Sequence, residues 1–144
     1  MDTDERSLYR AIEKNSGGRM VFRFEPGMPI GVPDLGLLLE NTYNPSRIIS
    51  ENTYNPSRFG HSWVWVEAKW ESPVVRPEQA IMLRKLWTGG SGAFIFARWR
   101  GDFYLVPGGS ISLDTRIRYD EHLARWKDEV CWEEFWDIVL KANY

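Results

Sequence analysis

Glu67 and Lys69 stand two residues apart in the segment Ser62-Trp63-Val64-Trp65-Val66-Glu67-Ala68-Lys69-Trp70. Side chains alternate along an extended chain, so both project from one face. They close an otherwise apolar stretch, where a charge is costly unless it is paired or bound to a cation. Taken alone, an E-x-K pair fits an ion pair at a strand end just as well. Asp34 shifts that balance. It follows Gly31-Val32-Pro33 and precedes Leu35-Gly36-Leu37-Leu38-Leu39. If these two segments pair, Asp34 and Glu67 converge on one hard cation, and carboxylate oxygens suit Mg²⁺, with Mn²⁺ as a substitute. Such an ion would polarise a phosphate and activate a water. Lys69 would orient that water or stabilise the pentavalent transition state.

Glu5 precedes Leu8, Tyr9 and Ile12 by three, four and seven residues, so it lies on the apolar face of a helix. It reads either as a third carboxylate leaning into the metal site or as an acidic residue favoured by the helix dipole. Glu13 and Glu25 are weaker candidates. Gln79 precedes Leu83 and Leu86 by four and seven residues and so faces the core with them. A buried amide needs partners, and a site water, a phosphate oxygen, Lys69 or a backbone group would each serve.

The elements that must position these residues follow from periodicity and breakers. The pattern predicts a helix over 2–15, capped by Asp2 or Thr3 and ended by Ser16-Gly17-Gly18. Strands follow at 20–25, 32–40 and 62–70, with a Pro- and Gly-rich loop at 26–31. A helix at 77–88 has Pro77 in its first turn and Gly89-Gly90 as its stop. A hairpin pairs 93–99 with 103–106 across Arg100-Gly101-Asp102, and the chain is then helical over about 120–141. The order is that of a mixed α/β fold, a single domain over 1–144, with its core at about 4–106 and a helical tail at about 116–144. In the tail, Leu123, Trp126 and Val130, then Trp132, Phe135, Trp136 and Val139, form apolar stripes. These dock on the domain's own core or form a subunit interface.

The octapeptide ENTYNPSR occurs at 40–47 and again at 51–58. Two copies rich in Asn and Pro do not make a solenoid, so they read as a duplicated loop between the second and third strands. As an extended hairpin, that loop would bring Arg47 and Arg58 to phosphates and Tyr43 and Tyr54 to bases, or touch a partner subunit.

A net charge of −2 argues against DNA binding by bulk electrostatics, though a bound cation restores positive charge locally. The lone Cys131 cannot form an internal disulfide and reads as a small buried apolar residue, which fits a reducing compartment. No apolar run reaches the length of a membrane span, and the N-terminal MDTDERS is unlike a secretion signal, so an intracellular, cytoplasmic protein is expected. His61 and His122 have no ligand partner at metal spacing, and Gly89-Gly90-Ser91-Gly92 lacks the Lys of a phosphate cradle.

The ordered set resembles the PD-(D/E)XK nuclease superfamily. Pro33-Asp34 is similar to its PD element and Glu67-Ala68-Lys69 to its E-x-K element. More narrowly, the chain resembles the VRR-NUC and archaeal-type Holliday-junction-resolvase branch, particularly small phage-encoded members. Arg23-Phe24-Glu25, Gly31-Val32-Pro33-Asp34, the strand 64–69 and Val75-Arg76-Pro77-Glu78-Gln79 come in the order of that branch, over about 4–106. The resemblance implies a restriction-endonuclease-like central sheet flanked by helices. Asp34, Glu67 and the Ala68 carbonyl would be ligands of Mg²⁺, Glu5 the helix-one glutamate and Gln79 the helix-two glutamine. Arg23 and Arg76 join Arg47 and Arg58 as candidate DNA contacts. The chain departs from the branch in the long 34–67 stretch and the tail. The function expected is metal-dependent, structure-selective cleavage of branched DNA by a homodimer, in a bacterial host if phage-encoded. The alternatives are a less selective nicking or end-processing nuclease, and a non-catalytic DNA-binding module on a nuclease fold.

Overall fold

The computed structural model describes residues 4–24, 31–41 and 60–141. Helix α1 spans Glu5–Lys14, and the Asp4 carboxylate caps it by accepting the Arg6 N–H at 3.0 Å. The cap is therefore Asp4; Asp2 and Thr3 lie outside the described residues. The strands are β1 (Met20–Arg23), β2 (Leu35–Asn41), β3 (Gly60–Trp70), β4 (Gly92–Trp99), β5 (Asp102–Pro107) and β6 (Ala124–Trp126). They form one sheet in chain order. Only the β3–β4 pair is parallel. A parallel step needs a crossover, and α2 (Pro77–Thr88) supplies it. The expected mixed sheet with flanking helices is present.

Alternation along the central strands splits the core in two. Val64, Val66, Ala68, Phe94 and Phe96 pack with Leu8 and Ile12 of α1 and with Phe135 and Val139 of α3 (Trp132–Lys141). Ala93, Ile95 and Ala97 point the other way and pack with Ala80 and Leu83 of α2. Helices thus lie on both faces, as the burial of nearly every β4 side chain requires. Among the described residues, no helix is long and apolar enough to cross a membrane.

The tail departs from the helix expected over 116–144. Among the described residues it is helical only at a short 3-10 turn, Tyr119–Glu121, and at α3. Between them, Ala124 and Trp126 are buried while Arg125 is exposed and pairs with Asp102 on the neighbouring strand at 2.6 Å. That two-residue period adds β6 to the sheet edge, and Leu123, 46% exposed, faces solvent instead of continuing a helical stripe. The later stripe, Phe135, Trp136 and Val139, docks on the domain's own core. Cys131 is exposed, not buried, because it sits just before α3, where its carbonyl accepts the Phe135 N–H at 2.9 Å.

One glycine links the fold to the chemistry. Gly31 has φ +94°, and an added Cβ would lie 2.5 Å from the Glu78 carbonyl oxygen. The chain leading to Asp34 is therefore pressed onto the first turn of α2. Gly31→Ala combines a left-handed backbone with an overlap that neither main chain can relieve, so it should destabilise by roughly 2–4 kcal/mol. Thermal denaturation checks this; an unchanged melting temperature would contradict the close approach.

Candidate active site

Pairing of β2 with β3 sets Leu35 opposite Val66, which brings Asp34, one residue earlier, opposite Glu67. Residues opposite each other on antiparallel strands share a face. The Asp34 Oδ2 accepts the Ala68 N–H at 3.2 Å, which turns that carboxylate toward the end of β3. Glu67 is 1% exposed and Lys69 9% exposed, so two charged residues are held inside the sheet–helix interface.

Glu67 is held from α2. The Gln79 Nε2 donates to Glu67 Oε1 at 2.7 Å, and the Gln79 Oε1 accepts the Arg76 N–H at 2.9 Å. One amide thus caps the first turn of the helix and fixes the carboxyl group, answering which partners the buried Gln79 finds. The Lys69 Nζ lies 3.9 Å from the same Glu67 Oε1. The other oxygen, Oε2, is buried and receives no N–H or O–H donor; the carboxyl group meets the Asp34 carboxylate through a hydrogen bond only while it carries its own proton. An orphaned carboxyl oxygen in such a place is costly.

Burial pushes the Glu67 carboxyl up to about 9, and the neighbouring Asp34 carboxylate adds to the effect. Lys69 opposes it without overcoming it. Glu67 therefore keeps its proton at neutral pH when no cation is present. Glu5 reaches the same place from α1. It is half-buried, and burial raises its carboxyl above the ordinary range, with Lys69 opposing and Asp34 reinforcing the shift. Arg76 also acts on Glu5 electrostatically.

The structure thus gathers Glu5, Asp34, Glu67, Lys69 and Gln79 at one end of the sheet. Ala68 joins them through its backbone, its side chain being buried on the opposite face. It also adds Tyr9, which reads in the sequence as a core residue: burial raises its phenol above the ordinary range, and the nearby Asp34 carboxylate adds to the shift. The signal that marks it is its position one helical turn after Glu5. Arg76 lies exposed at the N-cap of α2. Arg23 forms an ion pair with Glu13 at 2.7 Å, which takes Glu13 out of the site. Arg47, Arg58 and Glu25, with Tyr43, Tyr54 and the repeat, lie outside the described residues. The exposed His122 is held by the Tyr119 carbonyl at 2.8 Å from its Nδ1, and the side chain of His61 lies outside the described residues.

Among the described residues, no group of three or more His, Cys, Asp or Glu side chains is arranged to hold a metal ion. The donor chemistry nonetheless fits a hard divalent cation. Two carboxyl groups are forced together, one oxygen has no donor, and a third carboxyl group stands nearby. No protein-family model matches the chain, and no curated protein matches it.

Glu67→Gln tests the electrostatics. The amide can accept from Gln79 and donate to Asp34, and it carries no charge. A carboxyl whose folded value is raised contributes stability that is fully present below its unfolded value of 4.5 and lost as pH rises toward about 9. Without divalent ions, the variant should melt about 5 °C or more above wild type at pH 8, with the gap closing toward pH 5. A gap that is the same at both pH values would show that Glu67 is not strained by its charge.

Proposed function

We propose that the chain is a metal-dependent nuclease of the PD-(D/E)XK kind, cutting phosphodiester bonds in DNA. The observation that carries this reading is the buried Oε2 of Glu67, which no donor reaches, beside the Asp34 carboxylate. Asp34, Glu67 and the Ala68 carbonyl would hold Mg²⁺, or Mn²⁺ in its place, and so satisfy that oxygen. When bound, the ion supplies polarisation of a phosphate oxygen and a more acidic attacking water.

The chain's own residues do the rest. Gln79 fixes one oxygen of Glu67, so the carboxylate cannot rotate away from Asp34. Lys69 places an ammonium beside the pair, where it can orient the attacking water or donate to a phosphate oxygen as negative charge grows in the transition state. Glu5, across from Lys69 and Asp34, balances that ammonium and is a second acceptor for protons of a site water. The low overall charge then matters less, because phosphate affinity is concentrated at the site.

The resemblance extends the proposal to a restriction-endonuclease-like fold, to branched DNA as substrate and to a homodimer that cuts two strands. Cleavage of labelled four-way junction, flap, nicked, duplex and single-stranded DNA, each with Mg²⁺, Mn²⁺ or EDTA, tests it. Asp34→Asn, Glu67→Gln and Lys69→Ala should each lower cutting by about 10²-fold or more while the fold survives. Symmetrical cuts confined to the junction are expected. Cutting of every substrate would favour a nicking or end-processing enzyme, and retained activity in the Asp34 and Glu67 variants would overturn the site. Metal-independent binding without cutting would make the chain a DNA-binding module.

A further inference from the structure

Strand β2 stops pairing at Leu35, opposite Val66, so β3 runs on from Glu67 to Trp70 beyond its partner on that side. Alternation puts Trp70 on the α1 face with Ala68, and Trp70 directly follows Lys69. At this strand end, Trp70 and Tyr9 line an open cleft of about 510 Å³ with Asp4, Glu5 and Arg6. The cleft therefore adjoins the carboxylate site and shares Glu5 with it. Both rings pack on the core yet stay only half-buried. Each is braced by a guanidinium that a carboxylate holds. The Arg98 guanidinium carbon stands 4.9 Å from the Trp70 ring centroid, and its Nε lies 3.7 Å from Glu71 Oε1. Arg23 stands 5.5 Å from the Tyr9 ring centroid and is held by both oxygens of Glu13, at 2.7 and 3.3 Å. Contacts of this kind keep the two rings as fixed walls.

We propose that this cleft is a subsite for one unpaired base of the substrate strand, stacked on Trp70 with Tyr9 as the second aromatic wall, next to the phosphodiester that is cut. The inference rests on the nuclease reading and names the part of the substrate that lies beside the cut. The lining does not fit a phosphate. Asp4 and Glu5 present carboxyl oxygens, and Arg6 is tied to Asp4 Oδ2 through its Nε at 3.1 Å and its Nη2 at 2.8 Å. A nucleobase suits the same lining. An aromatic wall stacks on the face of any base, and carboxyl oxygens accept from the amino groups on a base edge. In a duplex, neighbours in the stack cover the faces and the pairing partner holds the Watson–Crick edge, so only an unpaired base offers both. The volume lies in the range of small-ligand sites, about 300–1,000 Å³. Preference for a flap or branch then comes from stacking, which a chain of net charge −2 can supply without a basic surface.

The test uses the full chain and a labelled DNA flap in which a single abasic site is moved one nucleotide at a time through the unpaired arm and the branch. Binding is followed by fluorescence anisotropy in EDTA, and cutting in Mg²⁺. For wild type, an abasic site at one position beside the cut should weaken binding by about 10-fold, and other positions should cost little. Trp70→Leu should lose about as much on the intact flap, and the abasic site at that position should then cost nothing further, because both changes remove one stack. Trp70→Phe should keep most of the affinity. The abasic scan needs no variant, so it decides the matter even if Trp70→Leu folds poorly. Metal-dependent cutting with no position-specific abasic loss in either assay would overturn the subsite and leave the nuclease reading standing. Independent, additive losses from Trp70→Leu and the abasic site would place the base elsewhere and also overturn it. A salt-dependent loss in Arg6→Gln, equal on intact and abasic flaps, with none in Trp70→Leu, would make the cleft a phosphate contact instead. A wild type that neither binds nor cuts any of these probes would remove the nuclease reading, and this inference with it.

Discussion

The antiparallel register of β2 and β3 places Asp34 opposite Glu67, and the packing of α2 then removes Glu67 from water. Two carboxyl groups so close cannot both ionise at low cost in a buried setting. The molecule relieves the conflict by keeping a proton on Glu67, with the carboxyl pushed up to about 9. A divalent cation would relieve it another way, by replacing the proton and engaging the oxygen that no donor reaches. Most of what surrounds the pair is explicable as a means of preserving this conflict.

Three elements converge to do so. Helix α2 contributes Gln79, whose amide spans its own first turn and Glu67. The same first turn receives Gly31, so the approach to Asp34 and the holder of Glu67 are set against each other by main-chain contact. Helix α1 brings Glu5 and Tyr9 from the other side of the sheet end. Strand β3 supplies Glu67 and Lys69 from a single face and the Ala68 N–H from its backbone. A buried charge group left unpaired would be expensive, and each of these contacts reduces that expense without removing it.

Much of this was legible in the sequence, and for physical reasons. Alternation in 62–70 put Glu67 and Lys69 on one face, and Pro77 with Gly89-Gly90 bounded α2 because φ restriction and backbone freedom act locally. Gln79 could be read as core-facing because helical spacing from Leu83 fixes its side. The register that joins Asp34 to Glu67 is a non-local property and could only be supposed. Tyr9 reads as packing because the ring is the larger part of a phenol and dominates its signal. Arg23 looked free for phosphate, since its ion pair with Glu13 spans a helix and a strand. In the tail, β6 has three residues, too few alternations to be told from part of a helix.

The most direct test of the central claim is the effect of Mg²⁺ and Mn²⁺ on thermal stability at neutral pH, for wild type and Glu67→Gln side by side. A cation that binds the folded chain alone raises its melting temperature by mass action. The wild type should rise in millimolar Mg²⁺ and more steeply in Mn²⁺, while the variant should not respond. A wild type unmoved by either ion, or a variant raised as much as wild type, would contradict the assignment of Asp34 and Glu67 as a cation site.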